Sequence, residues 1–363
     1  MFGFKSALVW FKFVNWARRY IFLLKGDTFS NQYKFLALKN IAKEGVLEYF
    51  KEPHSKASFI NDFDLAGDVY LDYLLFLLTK DGLFIRLEDD KYQLNSPSQD
   101  RVLSYLLEFA PDEIPDKIPS FIIPADFLKD LNEVFLSMGD DVFPRLKGST
   151  KPFTGGVQLF NWDSAFGISL YQTGRDCSLF MANGKKIRNG RILDIGCGNG
   201  YGTADIWGRF HSKENMVYAI DANSDLLAIA STKSEFEAWL KMLGFEAPQN
   251  AVFPIFKEMD AHKLDFDDNY FDLAHMSLVL HWLSDPGTAL KEVYRVVKPG
   301  GRICGTQGSL QPVSYWLDLL LRTVEGSGGH LPERKLRQLF VEAGFKKLVR
   351  RTAAGFFVAE KPK

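Results

Sequence analysis

The most constraining feature of this sequence is a run of glycines at every second position, directly after a short apolar stretch. Residues 191–195 read Arg-Ile-Leu-Asp-Ile, and Gly196, Gly198 and Gly200 follow before a segment that favours a helix. This order predicts a buried strand, a tight loop and a helix start. Glycine lets such a loop adopt positive φ angles and lets a ligand lie directly against the backbone. The stretch therefore predicts a ligand-binding loop between a strand and a helix.

Two common nucleotide-binding loops do not fit this pattern. The dinucleotide fingerprint needs a third glycine where this chain has Tyr201, or Thr203 if the count starts at Gly198. A P-loop would continue with Gly-Lys-Ser or Gly-Lys-Thr, and no such sequence follows here. The loop is therefore expected to belong to another class of α/β nucleotide site.

Further short strands that end in acidic or polar residues follow the glycine loop. A second apolar run ends in Asp221, and in doubly wound folds an acid roughly 20 residues beyond the glycines binds ribose hydroxyls. Asp260 lies near another predicted strand end, and residues 271–277 read as a fourth strand. Residues 292–305 predict a helix end, a turn and a strand. This succession predicts an open α/β sheet that binds its ligand at the carboxyl ends of the strands.

The Asp-x-Gly-x-Gly-x-Gly loop and the later segments, over residues 185–363, resemble the class I S-adenosylmethionine-dependent methyltransferases. The resemblance implies a Rossmann-like, doubly wound, seven-stranded α/β sheet with an antiparallel last strand, and S-adenosylmethionine as cofactor. In this family the position of Asp260 reads the adenine amino group. The cofactor-binding residues that the resemblance implies are Asp194, Gly196, Gly198, Gly200, Asp221, Ala222, Asp260, Ala261 and Ser277.

His281 is the candidate catalytic residue, and it lies just beyond the predicted fourth strand. Phenolic O-methyltransferases carry a similar segment, Ile-Leu-His-Asp-Trp-Ser-Asp, whose histidine is the base. The resemblance thus implies that His281 removes a proton from a hydroxyl acceptor. Quinone-biosynthesis methyltransferases have a similar histidine that is not a base, so a structural or substrate-orienting role stays open. We expect His275 to be a core residue and Asp285 to cap the next helix.

The N-terminal half predicts a small helical domain with a wing. Residues 33–50 and 68–78 have helical apolar spacing, and residues 83–94 read as a hairpin that turns at 88–91. This order resembles the winged-helix-like dimerisation domain of small-molecule O-methyltransferases, which implies a homodimer. Nucleic-acid binding is disfavoured, because the second helix carries Asp68 and Asp72 and no cation before Lys80. The net charge of −1 also provides no basic field.

These features divide the chain into three parts. Residues 1–30 contain a basic, aromatic helix, whose segment 1–25 either contacts a membrane surface peripherally or packs on protein. Residues 31–150 form the helical domain and end in a proline-rich linker. Residues 151–363 form the methyltransferase domain, with a lid at 151–190. Three cysteines without metal-ligand spacing indicate a reducing, cytoplasmic location and no metal site.

The function expected from the sequence is methyl transfer to a small, lipophilic, hydroxylated acceptor, with O-methylation favoured. One alternative is a C- or O-methyltransferase of a prenylated quinone or isoprenoid-type lipid. An alternative from another class is a regulatory or interaction protein that only senses S-adenosylmethionine.

Overall fold

The computed structural model describes residues 33–95, 138–150, 169–211, 214–308, 315–351 and 355–363. They divide into two compact units. The sheet unit holds the described residues of 154–312 and 330–363, and the helical unit holds those of 19–153 and 313–329. The division near residue 153 falls close to the domain boundary expected after residue 150. Residues 313–329, which the sequence places in the methyltransferase domain, group instead with the helical unit.

The helical unit contains the two predicted helices and the predicted hairpin, together with a helix over Lys56–Phe63 and a short strand at His54–Ser55 that the sequence did not indicate. Its three strands form one sheet, in which Lys91–Leu94 is the central strand. Labels follow chain order. The unit contains helices α1 (33–43), α2 (Val46–Tyr49), α3 (Lys56–Phe63), α4 (Val69–Lys80), α5 (Val142–Leu146) and α11 (Tyr315–Leu321), and strands β1 (His54–Ser55), β2 (Phe84–Arg86) and β3 (Lys91–Leu94).

Local chemistry explains these boundaries. The expected helix over 33–50 is interrupted at Gly45, because its φ of 81° does not continue a helix. Asp68 caps α4 by accepting a hydrogen bond from the Tyr70 N–H at 3.0 Å. The predicted hairpin is confirmed, with Phe84 opposite Leu94. The assignment of this unit as a winged helix stays a prediction.

The sheet unit contains a seven-stranded sheet in the order β6-β5-β4-β7-β8-β10-β9. Strands β4 to β8 pair in parallel, whereas β10 is antiparallel to both of its neighbours. This confirms the predicted doubly wound α/β class with an antiparallel last strand. The unit contains helices α6 (Ser169–Met181), α7 (Tyr201–Phe210), α8 (Ser224–Ala230), α9 (Lys233–Met242), α10 (Pro286–Val296) and α12 (Glu333–Glu342), and strands β4 (Arg191–Ile195), β5 (Met216–Asp221), β6 (Ile255–Glu258), β7 (Phe271–Met276), β8 (Val297–Thr306), β9 (Lys346–Arg351) and β10 (Phe356–Glu360).

Both faces of the sheet are buried, as parallel sheets require. On β4, Leu193 and Ile195 belong to one apolar cluster, and Ile192 belongs to the cluster on the other face. Successive strand residues point to opposite faces, so one short apolar strand serves both clusters. Because β5 and β7 both pair in parallel with β4, the carboxyl ends of these three strands lie at one edge of the sheet, where the glycine loop begins.

Several predicted features lie outside the described residues. They are the N-terminal helix, the proline-rich linker around 111–124 and residues 151–168 of the predicted lid. Across the described ranges, we find no helix with both the length and the apolar character needed to cross a bilayer.

Candidate cofactor and acceptor site

The glycine loop joins β4 to α7 through three residues with left-handed backbone conformations. The φ angles of Gly196, Gly198 and Gly200 are 66°, 55° and 89°. A side chain at Gly196 would collide with Val279, whereas a Cβ at Gly198 would have no atom of the described residues within 4 Å. The loop is anchored from α9, because the Trp239 indole N–H donates to the carbonyl of Asn199 at 3.1 Å. The loop therefore packs tightly on one side and leaves room for a ligand over Gly198.

Asp221 ends β5 next to this loop. One carboxylate oxygen accepts a hydrogen bond from the Gly198 N–H at 2.8 Å, and the other accepts one from the Asn223 N–H at 2.9 Å. Burial raises the pKa of Asp221, although these N–H groups act in the opposite direction. The contact with Gly198 brings the predicted ribose-binding acid directly to the predicted cofactor loop.

Asp194 lies beneath the loop and is almost fully buried. Its carboxylate pairs with His275 Nδ1 at 2.7 Å and accepts a hydrogen bond from the Thr203 hydroxyl at 2.6 Å. The Ser277 hydroxyl contacts His275 Nε2 at 2.9 Å and accepts the Thr306 N–H at 3.1 Å. His275 is a hydrogen-bonded core residue, as expected. In this arrangement Asp194 and Ser277 join the ends of β4, β7 and β8.

The remaining predicted cofactor residues, Ala222, Asp260 and Ala261, differ in how far they are exposed. Ala222 is exposed directly after Asp221, and Ala261 is buried. The Asp260 carboxylate is bonded by the backbone N–H of His262 at 2.9 Å and by His262 Nδ1 at 2.6 Å. Asp260 and Ala261 follow β6, one strand beyond Asp221 in the sheet order. They are thus at the same edge as the glycine loop, and their role in adenine binding stays a prediction.

His281 is buried in the loop that follows β7. The same loop supplies Val279, the residue that abuts Gly196, so His281 lies two residues beyond a direct contact with the cofactor loop. Its Nδ1 is 3.1 Å from the amide nitrogen of Gln307. Its ring stacks on that of His330, with centroids 4.7 Å apart and planes 8° apart. The candidate catalytic histidine is therefore held on two sides.

Gln307 is a site residue that the sequence did not indicate. It follows β8 and is almost fully buried against His281. No motif marks it, because a lone glutamine after a strand is ordinary in sequence and its partner lies 26 residues away.

Arg175 on α6 is a second site residue without a sequence signal of its own. Its Nε pairs with the buried Asp205 of α7 at 3.0 Å, and its guanidinium lies 5.1 Å from the centre of the Tyr201 ring. Its buried Nη2 has no hydrogen-bond partner within the described part of the chain. Tyr201 is the first residue of α7 after the glycine loop, so an unsatisfied cationic donor lies near the start of that helix.

These residues fit S-adenosylmethionine, which has a ribose and a carboxylate. The open space over Gly198 accommodates a ligand against the backbone, and the Asp221 carboxylate suits ribose hydroxyls. The unpartnered nitrogen of Arg175 suits an anionic group. Within the ranges that the structure describes, no cluster of three His, Cys, Asp or Glu side chains suited to a metal ion occurs.

Comparison with known proteins agrees with this geometry. Residues 193–305 match the family model described as "methyltransferase domain". An uncharacterized methyltransferase of Schizosaccharomyces pombe is 34% identical over 158 residues, which cover 42% of this chain and 54% of that protein. The ubiquinone/menaquinone biosynthesis C-methyltransferase UbiE of Neisseria meningitidis is 32% identical over 125 residues, which cover 34% of this chain and 45% of that protein. The chain thus spans about half the length of the curated relatives it matches.

The fold also resembles a solved structure along nearly the whole chain. The DszA carbon methyltransferase superimposes with a TM-score of 0.66 at 17% identity, and the match covers 95% of this chain and 93% of the other. At that identity the likeness concerns the fold. The family match, the sheet order and the glycine loop agree, and the family implies S-adenosylmethionine as cofactor. The chain therefore carries a class I S-adenosylmethionine-dependent methyltransferase domain at residues 193–305.

Proposed function

We propose that this protein transfers a methyl group from S-adenosylmethionine to a carbon atom of a small, lipophilic acceptor, next to a carbonyl or phenol oxygen. The observation that most supports methyl transfer at this site is the position of His281, a buried polar ring two residues beyond Val279, which abuts Gly196 of the cofactor loop. Relatives whose names state carbon methylation support the choice of a carbon acceptor. The apolar residues around His281, among them Leu280 and Trp282, support a lipophilic one.

The residues of this chain would bind and orient rather than activate the methyl group. When bound, S-adenosylmethionine supplies a methyl group on a positively charged sulfur, which departs as a neutral thioether. The loop at Gly198 and the acid Asp221 would hold the nucleoside, and Arg175 would hold the carboxylate. Holding the two reactants in line can lower the activation barrier by as much as about 7–11 kcal/mol.

O-methylation is the second candidate, and the same histidine favours it. A base at His281 could take the proton of a hydroxyl group, as in the phenolic O-methyltransferases that the segment resembles. The two candidates differ in which atom of one acceptor is methylated. The helical unit is proposed to mediate homodimer formation, and residues 1–25 are proposed to contact either a membrane surface or protein.

The experiment that tests the proposal uses S-adenosylmethionine carrying a ¹³C-labelled methyl group. The full chain is incubated with three acceptor classes, namely β-keto thioesters, prenylated quinols and simple phenols. The ¹³C NMR shift of the product methyl distinguishes a carbon-bound from an oxygen-bound group. A carbon-bound methyl is expected, and an oxygen-bound methyl would make O-methylation the function. Cofactor binding without any product from these acceptors would favour the cofactor-sensing alternative.

A further inference from the structure

The side-chain amide of Gln307 has a fixed orientation. Its oxygen accepts a hydrogen bond from the backbone N–H of Leu280 at 3.1 Å. Its nitrogen donates to the carbonyl of Gly308 at 3.2 Å. A half-turn of the amide would place its NH₂ group against an N–H and its oxygen against a C=O, and both contacts would be repulsive. The two backbone groups therefore determine which end of the amide faces His281.

The end that faces His281 is the donor end. The Gln307 nitrogen is 3.1 Å from Nδ1 of His281. An amide NH₂ group can only donate, so Nδ1 must present its lone pair. In a neutral imidazole the proton then lies on Nε2. A proton on Nδ1, in the other tautomer or in the imidazolium form, would place the Nδ1–H and the amide N–H of Gln307 against each other at this distance, and the contact would be repulsive.

The surroundings hold this amide in place. Gln307 is 1% exposed. Its backbone N–H donates to the Gly355 carbonyl, and its own carbonyl accepts from Nη2 of Arg350 at 3.1 Å. Arg350 is itself buried and paired with Glu333 at 2.9 Å. Contacts from β9 and from the start of β10 thus keep the amide of Gln307 against His281.

Burial acts in the same direction. His281 is buried, and its ring stacks on that of His330 with planes 8° apart and centroids 4.7 Å apart. A positive charge on His281 would lie away from water, where charge is costly. Burial therefore also favours a neutral His281.

We infer that Gln307 holds His281 as the neutral tautomer with its proton on Nε2, so that His281 serves methyl transfer as a hydrogen-bond donor and not as a base. This inference rests on the proposed function for its chemical meaning. An Nε2–H donor stabilises negative charge on an oxygen of the acceptor, which selects an enolate or a phenolate type of acceptor. The proton of the acceptor leaves to water, and His281 neither gains nor loses one. Gln307 is the positioning residue.

The tautomer can be measured without any acceptor. The full chain is labelled with ¹⁵N in its histidine rings, and long-range proton–nitrogen spectra are recorded at neutral pH. The His281 signals are assigned by their loss in His281→Gln. We expect a protonated-type shift for Nε2 and an unprotonated-type shift for Nδ1. A proton on Nδ1, alone or in an imidazolium, would overturn the inference whatever the enzyme methylates.

A pair of glutamine variants tests the cause of the tautomer. In Gln307→Glu a carboxylate faces Nδ1 and accepts a proton from it, so Nδ1 is expected to become protonated. The same chemical change at the exposed Gln338 of α12, Gln338→Glu, is the matched control and should leave the spectrum unchanged. If Gln307→Glu folds and Nδ1 stays unprotonated, Gln307 does not set the tautomer. The wild-type spectrum decides the tautomer even if this variant fails to fold.

Two variants of His281 separate a donor from a base, with the most active acceptor class as substrate. Glutamine can donate a hydrogen bond but cannot take a proton at neutral pH, and leucine can do neither. We expect His281→Leu to lower kcat by about 100- to 1,000-fold, and His281→Gln to restore most of that loss. Equal losses in both variants would show that His281 acts as a base. If no acceptor is methylated, the proposed function fails while the spectra still decide the tautomer.

Discussion

Asp221 meets two requirements of a ribose-binding residue, a partly buried carboxylate and direct contact with the glycine loop. Each of its oxygens already accepts one backbone N–H, from Gly198 or from Asn223. A carboxylate oxygen can accept a second hydrogen bond, so both oxygens retain capacity for ribose hydroxyls. Asp221 thus couples the shape of the loop to binding of the cofactor.

Replacement of this acid should weaken cofactor binding. In Asp221→Asn the charge-assisted hydrogen bonds to ribose are lost, which costs about 1.5–3 kcal/mol, or about 10- to 100-fold in affinity. Titration calorimetry with S-adenosylmethionine measures the change. Asp225→Asn, on the exposed side of α8, is the matched control and should bind normally. Unchanged affinity in Asp221→Asn would refute the ribose assignment.

The binding should also depend on pH through the same residue. Burial raises the pKa of Asp221, so its carboxylate becomes protonated at a higher pH than an ordinary aspartate would. Affinity for S-adenosylmethionine is therefore expected to fall as the pH drops, starting above the usual aspartate pKa of about 3.9. Calorimetry at stepped pH values checks this, and the decline should be absent from Asp221→Asn.

Gly196 is a position where only glycine fits, for two reasons. Its φ is 66°, and a side chain there would collide with Val279. We expect Gly196→Ala to lower the free energy of unfolding by about 1–3 kcal/mol. Gly202→Ala, in α7 of the same motif, is the control, because the nearest atom to its added carbon is 3.7 Å away. Thermal unfolding should show a lower Tm for Gly196→Ala only. Equal Tm values for the two variants would show that an alanine at position 196 is not strained.

The sequence predicts such residues when the chemistry is local. The roles of Gly196 and Asp221 could be predicted because the glycine spacing and the acid at a strand end are regular features of one short stretch. The role of Gln307 could not be predicted, because it depends on contacts with His281, Leu280 and Gly308 in the folded structure. The role of His281 likewise depends on which nitrogen faces the amide, and that is a property of the tertiary structure.

At the scale of elements, an ion-pair network centred on the buried Asp205 joins α6 to α7. Asp205 accepts from Arg175 at 3.0 Å and from Arg209 at 2.7 Å, and Arg209 also pairs with Asp176 at 2.6 Å. Burial acts to raise the pKa of Asp205, but the two arginines outweigh it and lower that pKa. The helix that precedes the sheet is thus attached to the helix that follows the glycine loop.

Loss of this charge should destabilise the sheet unit. Asp205→Asn leaves the buried Arg175 without its partner, which costs about 3–5 kcal/mol. Because the pKa of Asp205 is lowered in the folded state, its contribution is present above pH of about 4 and disappears as the pH falls through the folded-state pKa. Denaturation followed by tryptophan fluorescence should therefore show a large difference between wild type and variant at pH 7 and a smaller one in acid.

An exposed ion pair provides the control for that network. Lys233 and Glu237 on α9 lie 3.7 Å apart and are largely exposed. Lys233→Ala should change the free energy of unfolding by no more than about 0.5 kcal/mol. If Asp205→Asn costs equally little, the network does not stabilise the unit.

Helix boundaries differ in how well a sequence reveals them. The start of α10 was predictable, since Asp285 accepts hydrogen bonds from the Gly287 and Thr288 N–H groups at 3.0 and 3.1 Å, all within four residues. The hairpin at β2 and β3 was predictable for the same reason. The ion pair between Asp205 and Arg175 was not, because Arg175 lies on another helix and opposite charges in a sequence do not indicate which of them meet.

At the scale of the whole molecule, the seven-stranded sheet with an antiparallel last strand was inferred from the family resemblance and is confirmed. The assignment of residues 313–329 to the helical unit was not inferred. The segment contains the largely apolar helix Tyr315–Leu321, and it begins a few residues after the strand that ends at Thr306. Nothing within it indicates which of two apolar cores will bury it.

The assembly of the full chain is open to a direct test. We expect sedimentation to give a mass of about twice 41.3 kDa, as the resemblance to dimeric relatives predicts. Deletion of residues 1–25 should alter either that mass or retention on anionic liposomes. A monomeric wild-type chain would exclude the dimer. A deletion that changes neither property would exclude both roles of the N-terminal segment.

Residues 313–329 have a consequence for how this chain is inherited. The polypeptide passes from one unit to the other near residues 153, 312 and 329. A single recombination or truncation point therefore cannot deliver either unit intact, because each is assembled from separated stretches of the gene. A lineage that exchanged its N-terminal half for another would retain helix α11 without the residues of the helical unit that bury it. The two units are thus expected to diverge together, as one heritable module rather than two.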